Sequence, residues 1–570
     1  MQDRFFIAAA LREIGRLLAI KGDNPFKARA YERGADVLER LDADLDTLVK
    51  NRRLTEISGI GTALAGVIEE FYRTGSSALL DTLRQELPAG VVELSAVPGL
   101  NLKKIMALQE ALGIETVAEL KSACEKHLVR KVKGFGEKSE VKILEALNKD
   151  ATGEERTLLH KAQAEAQRLL SYLRSNPEVL KADVAGGLRR STETVQSIKL
   201  VVASDRPDAV LDHFHRFPPI VGVTTSNGDR SKVGLAIGVS GELMIVPPAD
   251  YPTALHYFTG SKKHYAKLTE FARSKRINMG AQGLRTTSGK ELHVENEEQI
   301  YRHLGMQYVP PELREDEGEI EAALDGSLPQ LVKVEDIQGI THCHTIYSDG
   351  KNTVEEMALA ADRMGMKYLT ITDHSPSAFY AGGVKIDQLK AQWEEIAKVQ
   401  EKVKVKLLRG TESDILDEGV LDYPDAILEK FDIIIASIHV RSGMDAERMT
   451  QRLVRALQLP VFKIWGHPLG RLVQSRPPLE CDMDEVLDTV ARSRAAIEIN
   501  GDPRRLDLEP RWIRAARRRG IKFVVSTDAH STESLEYCRY GVAMARRGWL
   551  TAGEVLNTMD TENFMKAVHP

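Results

Sequence analysis

The chain has 570 residues, 42% hydrophobic and 28% charged, with a formal net charge of −5 at pH 7. Such a length predicts three or four domains, and such a composition excludes disordered, fibrous and membrane-embedded classes. The charge balance excludes a globally basic nucleic-acid binder, so any DNA contact must come from local geometry.

No run of eighteen apolar residues occurs, and Met1-Gln2-Asp3-Arg4 has no signal-peptide pattern. Cys124, Cys343, Cys481 and Cys538 are scattered without pairing signatures. A cytoplasmic protein without membrane partners or a disulfide framework is expected.

Residues 4–21 and 24–41 read as amphipathic helices, with Pro25 suited to a first helical turn. Gly59-Ile60-Gly61 follows between helical patterns. Two glycines one residue apart make a tight hairpin between helices. Their N–H groups, at a helix N-terminus, can hold a phosphate oxygen. The pattern recurs as Val97-Pro98-Gly99-Leu100-Asn101 and as Lys133-Gly134-Phe135-Gly136-Glu137-Lys138. One such hairpin says little, but three in one region point to helix-hairpin-helix DNA binding. Candidate contacts are Gly59, Gly61, Gly99, Lys133, Gly134, Gly136 and Lys138. In the middle copy Asn101 replaces the second glycine, a residue that tolerates the left-handed region.

A further helix is predicted over 155–175. Then come Gly186-Gly187-Leu188-Arg189-Arg190, the run Ser197-Ile198-Lys199-Leu200-Val201-Val202, Glu242-Leu243-Met244-Ile245-Val246, and Tyr257-Phe258-Thr259-Gly260-Ser261. With the hairpins and Asn24–Tyr31, these segments resemble the family X DNA polymerases over residues 1 to about 315. The resemblance implies a helical DNA-binding domain over 1–85 and a second helix-hairpin-helix domain over 86–150. An α+β nucleotidyltransferase-like palm over 151–255 and a thumb over 256–315 follow. The family's palm carries a Gly-Ser-x-Arg-Arg motif, an Asp-x-Asp pair and a third Asp. Here those positions are Gly187, then Ser197 and Lys199, then Glu242. Two-metal phosphoryl transfer needs the carboxylates to hold two cations about 4 Å apart. Ser197 lacks a charge, and the Lys199 ammonium repels a cation. Only Glu242 could still ligate, so no Mg pair and no polymerisation are expected. Gly187, Arg189, Arg190, Tyr257, Phe258, Gly260 and Ser261 resemble nucleotide-pocket elements. They read either as retained scaffold or as retained nucleotide binding. The acidic stretch opened by Pro310-Pro311 reads as a linker, with its boundaries at 316–334.

Seven strand-like runs follow, most closing on His, Asp or Glu: Gly339–Thr341 before His342-Cys343-His344, Tyr368–Thr372 before Asp373-His374, and Val405–Thr411 before Glu412. Ile433–Ile438 stops at His439, Val461–Gly466 at His467, and Phe523–Thr527 at Asp528-Ala529-His530, while Ala495–Asn500 adds another strand. Residues i and i+2 of a strand share a face, so His342 with His344, and Asp528 with His530, can grip one ion. Imidazoles mixed with carboxylates suit Zn, Mn or Fe. Cys343 should face away and pack.

The block from 335 to 570 resembles a PHP (polymerase and histidinol phosphatase) domain, and the whole chain resembles a bacterial family X polymerase fused to a PHP nuclease. The resemblance implies a distorted (β/α)7 barrel holding two to three divalent metals on His342, His344, Asp349, His374, Glu412, His439, His467, Asp528 and His530. It also implies 3′–5′ exonuclease action, and cleavage at abasic sites, in base-excision repair. Metals on His342, His344, Glu412, His439, His467 and Asp528 would polarise the phosphate, with Asp349, His374 and His530 completing a third site. His342, His344, Glu412, His439, Asp528 and His530 are the expected catalytic group. Arg441 and Arg471 read as phosphate clamps or as rim charges. The expected partner is gapped, nicked or 3′-ended duplex DNA, with a nucleotide as a second ligand, for a monomer. The competing readings are a working polymerase using Glu242, a non-catalytic sensor of DNA ends or gaps, and a small-molecule phosphatase.

Overall fold

The computed structural model describes residues 4–21, 25–39, 45–57, 59–74, 77–86, 91–94, 97, 100–137, 139–141, 143–144 and 156–569. They form two compact units. One takes 1–157, 165–184 and 195–251; the other takes 158–164, 185–194 and 252–570. No helix among the described residues is long and apolar enough to cross a membrane.

The first unit begins with short helices around one core that includes Ile7, Leu11, Ile14, Leu64, Ile68, Phe71, Ile105, Leu108 and Leu120. Two hairpins within it match residue for residue at an offset of 75. Arg52 and His127 have φ of 55° and 56°, and single 3-10 turns follow at Leu54–Glu56 and Val129–Lys131. Gly59 and Gly134 both have φ of 94°, which only glycine adopts without strain. Gly61 and Gly136 then open the next helix, their carbonyls accepting from Ala65 and Glu140. Nothing lies within 4 Å of a Cβ built on Gly61, Gly134 or Gly136, so that side of the backbone is uncovered, while the Gly136 N–H donates to Ser139 Oγ at 2.7 Å. The middle copy keeps the same turn: Val97 N–H donates to Leu94 O and Leu100 N–H to Val97 O. Asn101 does not use left-handed freedom. Its φ is −119°, and its side chain accepts from Lys104 N–H as a helix N-cap. Gly99 and Lys138, as well as Asn24, lie outside the described residues.

The same unit carries a five-stranded sheet, in the order Lys181–Ala185, Ser197–Ala203, Ser240–Val246, Arg230–Leu235, Ile220–Asn227. Strands 197–203 and 240–246 run parallel and place Lys199 directly beside Glu242; strand 230–235 is antiparallel and places Lys232 on Glu242's other side.

In the second unit, helices Tyr251–Thr259, Lys262–Ser274 and Glu297–Leu304 accompany an antiparallel sheet of Ile277–Gly280, Gly283–Thr286 and Glu291–Leu292. The segment 316–334, expected as a linker, is folded into this unit. Helix Glu319–Asp325 buries Ile320 and Ala323 in a core with Leu268, Ile300 and Leu304. Glu319 is fully buried because His264 Nδ1 reaches it at 2.6 Å and the Asp316 and Glu317 N–H groups donate to it. An acidic composition misled here: one of its carboxylates is an interior hydrogen-bond acceptor.

Seven parallel strands then follow in sequence order: Gly339–Ile340, Tyr368–Ile371, Lys406–Asp414, Ile433–Ser437, Lys463–Trp465, Ala495–Asn500 and Phe523–Ser526. Their apolar runs are buried on both faces, as parallel strands covered by crossover helices require. The strand expected to stop at Glu412 continues to Asp414. Its first half pairs with 368–371 and its second with 433–437, so Glu412 is held from inside a strand. Gly339 is required in the first strand, since a Cβ there would lie 2.2 Å from the Tyr368 ring.

The sheet closes almost completely. Cys343 bridges Ala529, His344 N–H donates to Ala529 O at 2.8 Å, and Thr527 Oγ1 donates to His342 O at 3.0 Å. Where first and last strands do not pair, the buried Asn557 side chain replaces the ladder. Its Nδ2 donates to Gly339 O and Val525 O, and its Oδ1 accepts from Val525 N–H. At the strand starts, Phe564 of the last helix stacks on Tyr368 with centroids 4.5 Å apart. Asn557→Ala, which orphans these backbone groups, should destabilise the barrel by about 3 kcal/mol. A lowered urea midpoint checks this; an unchanged midpoint would show that the seam closes without the amide.

Candidate metal centre at the carboxyl ends of the barrel strands

All nine expected ligands converge at the end of the barrel where active sites of such folds sit. Among the described residues, five imidazoles and three carboxylates form three overlapping groups: His344, Asp349, His374 and His530; His342, His344 and Asp528; and His374, Glu412 and His439. Within each group the candidate ligand atoms lie within 4.8 Å of one another. His467 adds its Nε2 at 2.8 Å from Glu412 Oε1.

Glu412 is the hub. Its carboxylate has His374 Nδ1 at 2.9 Å, His439 Nε2 at 3.3 Å, and His342 and His344 Nε2 each at 3.5 Å. The ring nitrogens of His342 and His344 face each other at 3.2 Å. Among the described residues, His344 Nδ1 and His467 Nδ1 are buried without a hydrogen-bond partner, and His374 Nδ1 and Glu412 Oε2, though 2.9 Å apart, do not meet in hydrogen-bond geometry. Buried polar atoms are otherwise almost always satisfied, and such a donor set suits a divalent transition metal. The residues therefore fit metals.

Electrostatics divide the imidazoles. Burial lowers His342, but Glu498, Glu412 and Asp528 outweigh it and hold it well above its ordinary value. Burial followed by His374 and His530 pushes His344 down to about 3. Glu412 and Asp414 overcome burial at His439 and lift it to about 10. Asp349 falls to about 2, its own burial overcome by His530, His344 and His374.

Several supports were not read from the sequence. Glu498, fully buried in strand 495–500, takes His342 Nδ1 at 2.6 Å, Ser526 Oγ at 2.6 Å and the His467 N–H. It thereby fixes the tautomer that aims His342 Nε2 at the cluster. Asp414 does the same for His439, Nδ1 to Oδ1 at 2.8 Å, and the Asp528 carbonyl does so for His530 Nδ1 at 2.8 Å. Asp373 is no ligand. It takes Thr345 N–H and Oγ1, Ser348 Oγ and Gln392 Nε2, pinning the loop that carries Asp349. A lone Glu in the apolar run Ala495–Ile499 was a usable signal, and Asp373 stood at a strand end; nothing local marked Asp414.

The clamps differ from expectation. Arg471 is buried and committed to Glu193 at 2.7 and 3.2 Å and to Glu509 at 3.2 Å. Arg441 donates to the carbonyls of Gly470 and Pro477. The cation at the centre is Arg505, its Nε 3.0 Å from Asp528 Oδ2 and its buried Nη1 without a hydrogen-bond partner. Cys343 packs as expected, its thiol donating to Thr370 O.

In the five-stranded sheet, Glu242 is already neutralised. Lys199 Nζ is 3.2 Å and Lys232 Nζ 3.9 Å from it. Of the supposed nucleotide-pocket residues, Arg189 forks onto Glu297 at 2.9 and 2.6 Å, and Arg190 reaches Glu315 at 2.9 Å and the Thr259 carbonyl. Ser261 caps a helix by accepting from His264 N–H. Tyr257 packs edge-on to Phe258 and Tyr265, and Gly260 has a φ of 53°.

Comparisons with known proteins agree with this layout. The sequence matches a helix-hairpin-helix domain over 5–77, a SAM-like helix-hairpin-helix tandem over 91–149, the DNA polymerase beta thumb over 254–315 and the PHP domain over 341–501. The DNA polymerase/3′-5′ exonuclease PolX of Bacillus subtilis (strain 168) is 35% identical over 567 residues, 98% of this chain and 99% of its own length. The chain belongs to the family X DNA polymerases with a C-terminal PHP domain. A probable phosphatase of Thermoanaerobacter sp. (strain X514) is 31% identical over 38% of this chain and 89% of its own length. Another, of Caldanaerobacter subterraneus subsp. tengcongensis, is 33% identical over 33% and 75%. The PHP match ends at residue 501, so strand 523–526, Asp528 and His530 join this family's site through the barrel closure rather than through that match.

Glu498→Gln keeps every candidate ligand but weakens the acceptor behind His342. It should lower metal affinity roughly 10–100-fold, measured by competition with a metal-binding dye. Undiminished affinity would mean that Glu498 does not orient the ligand.

Proposed function

We propose that the chain is a metal-dependent DNA phosphodiesterase of repair that removes nucleotides from 3′ ends. The observation that carries this reading is the convergence of nine ligand-type side chains, several with unsatisfied buried atoms, in a chain related along its whole length to a named 3′-5′ exonuclease. Two or three metals, Mn, Zn or Fe, suit the donor set. His344 and His374 each belong to two of the three groups, so full occupancy calls on His467 as an additional donor at Glu412.

Such metals supply Lewis acidity toward phosphodiester oxygens and a nucleophile at neutral pH. The protein's part is orientation. Glu498, Asp414 and the Asp528 carbonyl hold three imidazoles in the tautomers that present Nε2. Arg505 screens Asp528 and offers its spare N–H to a phosphate oxygen. The two matched Gly-x-Gly hairpins, with Lys133 beside the second, lie against the duplex backbone at helix N-termini, the Gly136 N–H being turned inward onto Ser139 Oγ at 2.7 Å. Gapped, nicked or 3′-ended duplexes fit this arrangement, and cleavage at abasic sites belongs to the same chemistry. We place domain boundaries near 85, 150, 255 and 315, and read the protein as monomeric and cytoplasmic.

The sheet that would polymerise is read as inactive. Lys199 occupies a position that two-metal transfer assigns to a carboxylate, and it already pairs with Glu242. The printed name of the Bacillus subtilis relative favours the competing reading, a working polymerase.

Asp528→Ala combined with His530→Ala should cut Mn-dependent shortening of a 3′-labelled gapped duplex by at least about a thousandfold; full activity would refute the assignment. The same variant, given nucleotides with Mg or Mn, should not lengthen the primer. Templated incorporation in that assay would overturn the palm argument.

A further inference from the structure

The loop after the second barrel strand inverts the usual disposition of its side chains. Ala378 and Ala381 are buried, while Phe379 and Tyr380 between them are 82% and 57% exposed. Large aromatics held in water beside small buried residues mark a binding surface more often than a packing accident.

The backbone that carries the two rings is braced. The rings sit on a single 3-10 turn, Phe379–Ala381, with backbone bonds from Ala381 to Ala378 and from Gly383 to Ala378. Gly383 presses against Ser375, where a Cβ would lie 1.9 Å from the carbonyl oxygen. Ser377 ties the turn to the centre itself. Its Oγ donates to Asp414 Oδ2 at 3.0 Å, and Asp414 orients His439. The Tyr380 ring stands 6.4 Å from His374 and 6.2 Å from His439, and Phe379 continues outward at 6.0 Å, nearly perpendicular to it. On the charged side, Arg505 lies 3.0 Å from Asp528 with a buried Nη1 that has no hydrogen-bond partner. A metal cluster that takes a phosphate, a guanidinium with a free N–H beside it and an aromatic edge together match the parts of one nucleotide.

We propose that Phe379 and Tyr380 form a stacking subsite for the nucleobase of the nucleotide whose phosphate lies at the metal centre. This rests on the nuclease reading above, yet its ligand is narrower: a base-bearing deoxynucleoside 5′-phosphate rather than any phosphate ester. Every base has a π-face, so the subsite takes all four bases. Base–aromatic stacking changes affinity by about 1–3 kcal/mol per base, on the order of tenfold or more.

The test compares binding of thymidine 5′-monophosphate and deoxyribose 5-phosphate to the Mn-loaded full chain by calorimetry. The wild type should prefer the nucleotide about tenfold. Phe379→Ala with Tyr380→Ala should erase that preference at unchanged metal content, and Tyr380→Trp should keep it. A parallel assay compares 3′ ends whose last residue carries or lacks a base. The ratio of kcat/KM should collapse toward one in the double alanine variant. Equal binding of both ligands by the wild type overturns the subsite, as does an unchanged preference in the double alanine variant. A preserved binding preference in a protein that shortens no DNA would uphold the subsite and refute the nuclease reading, so the two fail separately.

Discussion

Five imidazoles converge on one fully buried carboxylate, Glu412, with ring nitrogens between 2.8 and 3.5 Å from its oxygens. Removing a carboxylate and that many titratable rings from water costs far more than packing returns unless charge is balanced on the spot. Much of the second unit serves this requirement. The strand bearing Glu412 extends two residues beyond it, so that the carboxylate is held between neighbouring strands. Glu498 and Asp414 stand behind the rings as acceptors, and Arg505 offsets the charge of Asp528. His467 and Asp528 have φ of 22° and 50°, conformations that L residues rarely adopt. Their partners fix both: Glu498 takes the His467 N–H, and Arg505 holds the Asp528 carboxylate.

The five-stranded sheet solves the opposite problem. Lys199, Glu242 and Lys232 are direct neighbours on three adjacent strands, so a half-exposed carboxylate is flanked by two ammonium groups. Local charge there sums to positive, which suits a phosphate and disfavours a cation. Between Arg189, Arg190 and their carboxylates the same logic has gone further. Glu297 is fixed by two guanidiniums, Arg189 and Arg314, and is drawn well below the usual carboxylate range despite its burial. Groups so fully paired stabilise a fold and have little left to offer a ligand.

Much of the barrel was legible. Seven runs, most of them closing on His, Asp or Glu, appear as seven parallel strands in sequence order, because a strand buried on both faces is apolar along most of its length. Most of the nine candidate ligands were legible as strand-end residues, whereas Glu412 lies inside its strand. The equivalence of the hairpins was legible in Gly59 and Gly134, since a backbone turn at φ of 94° leaves little choice of residue. Less was legible where one residue type serves two environments. Asn101 was read for its left-handed tolerance and instead caps a helix. The acidic segment after Pro311 was read as a linker and contains the buried Glu319. Arg471, read either as a phosphate clamp or as a rim charge, is buried and locked to Glu193 and Glu509.

The sequence by itself determined the periodicities, the places where they stop and the residue types found there. Those fix strand count, hairpin geometry and which side chains can bind metal, because each depends on neighbours within a few positions along the chain. Only the tertiary structure decided which charges are spent and which are free. Whether Arg505 or Arg471 has a spare N–H, whether Glu242 is bare or paired, and whether Phe379 is core or surface depend on groups tens to hundreds of residues away. Coulombic and desolvation energies follow distance in space, not separation along the chain.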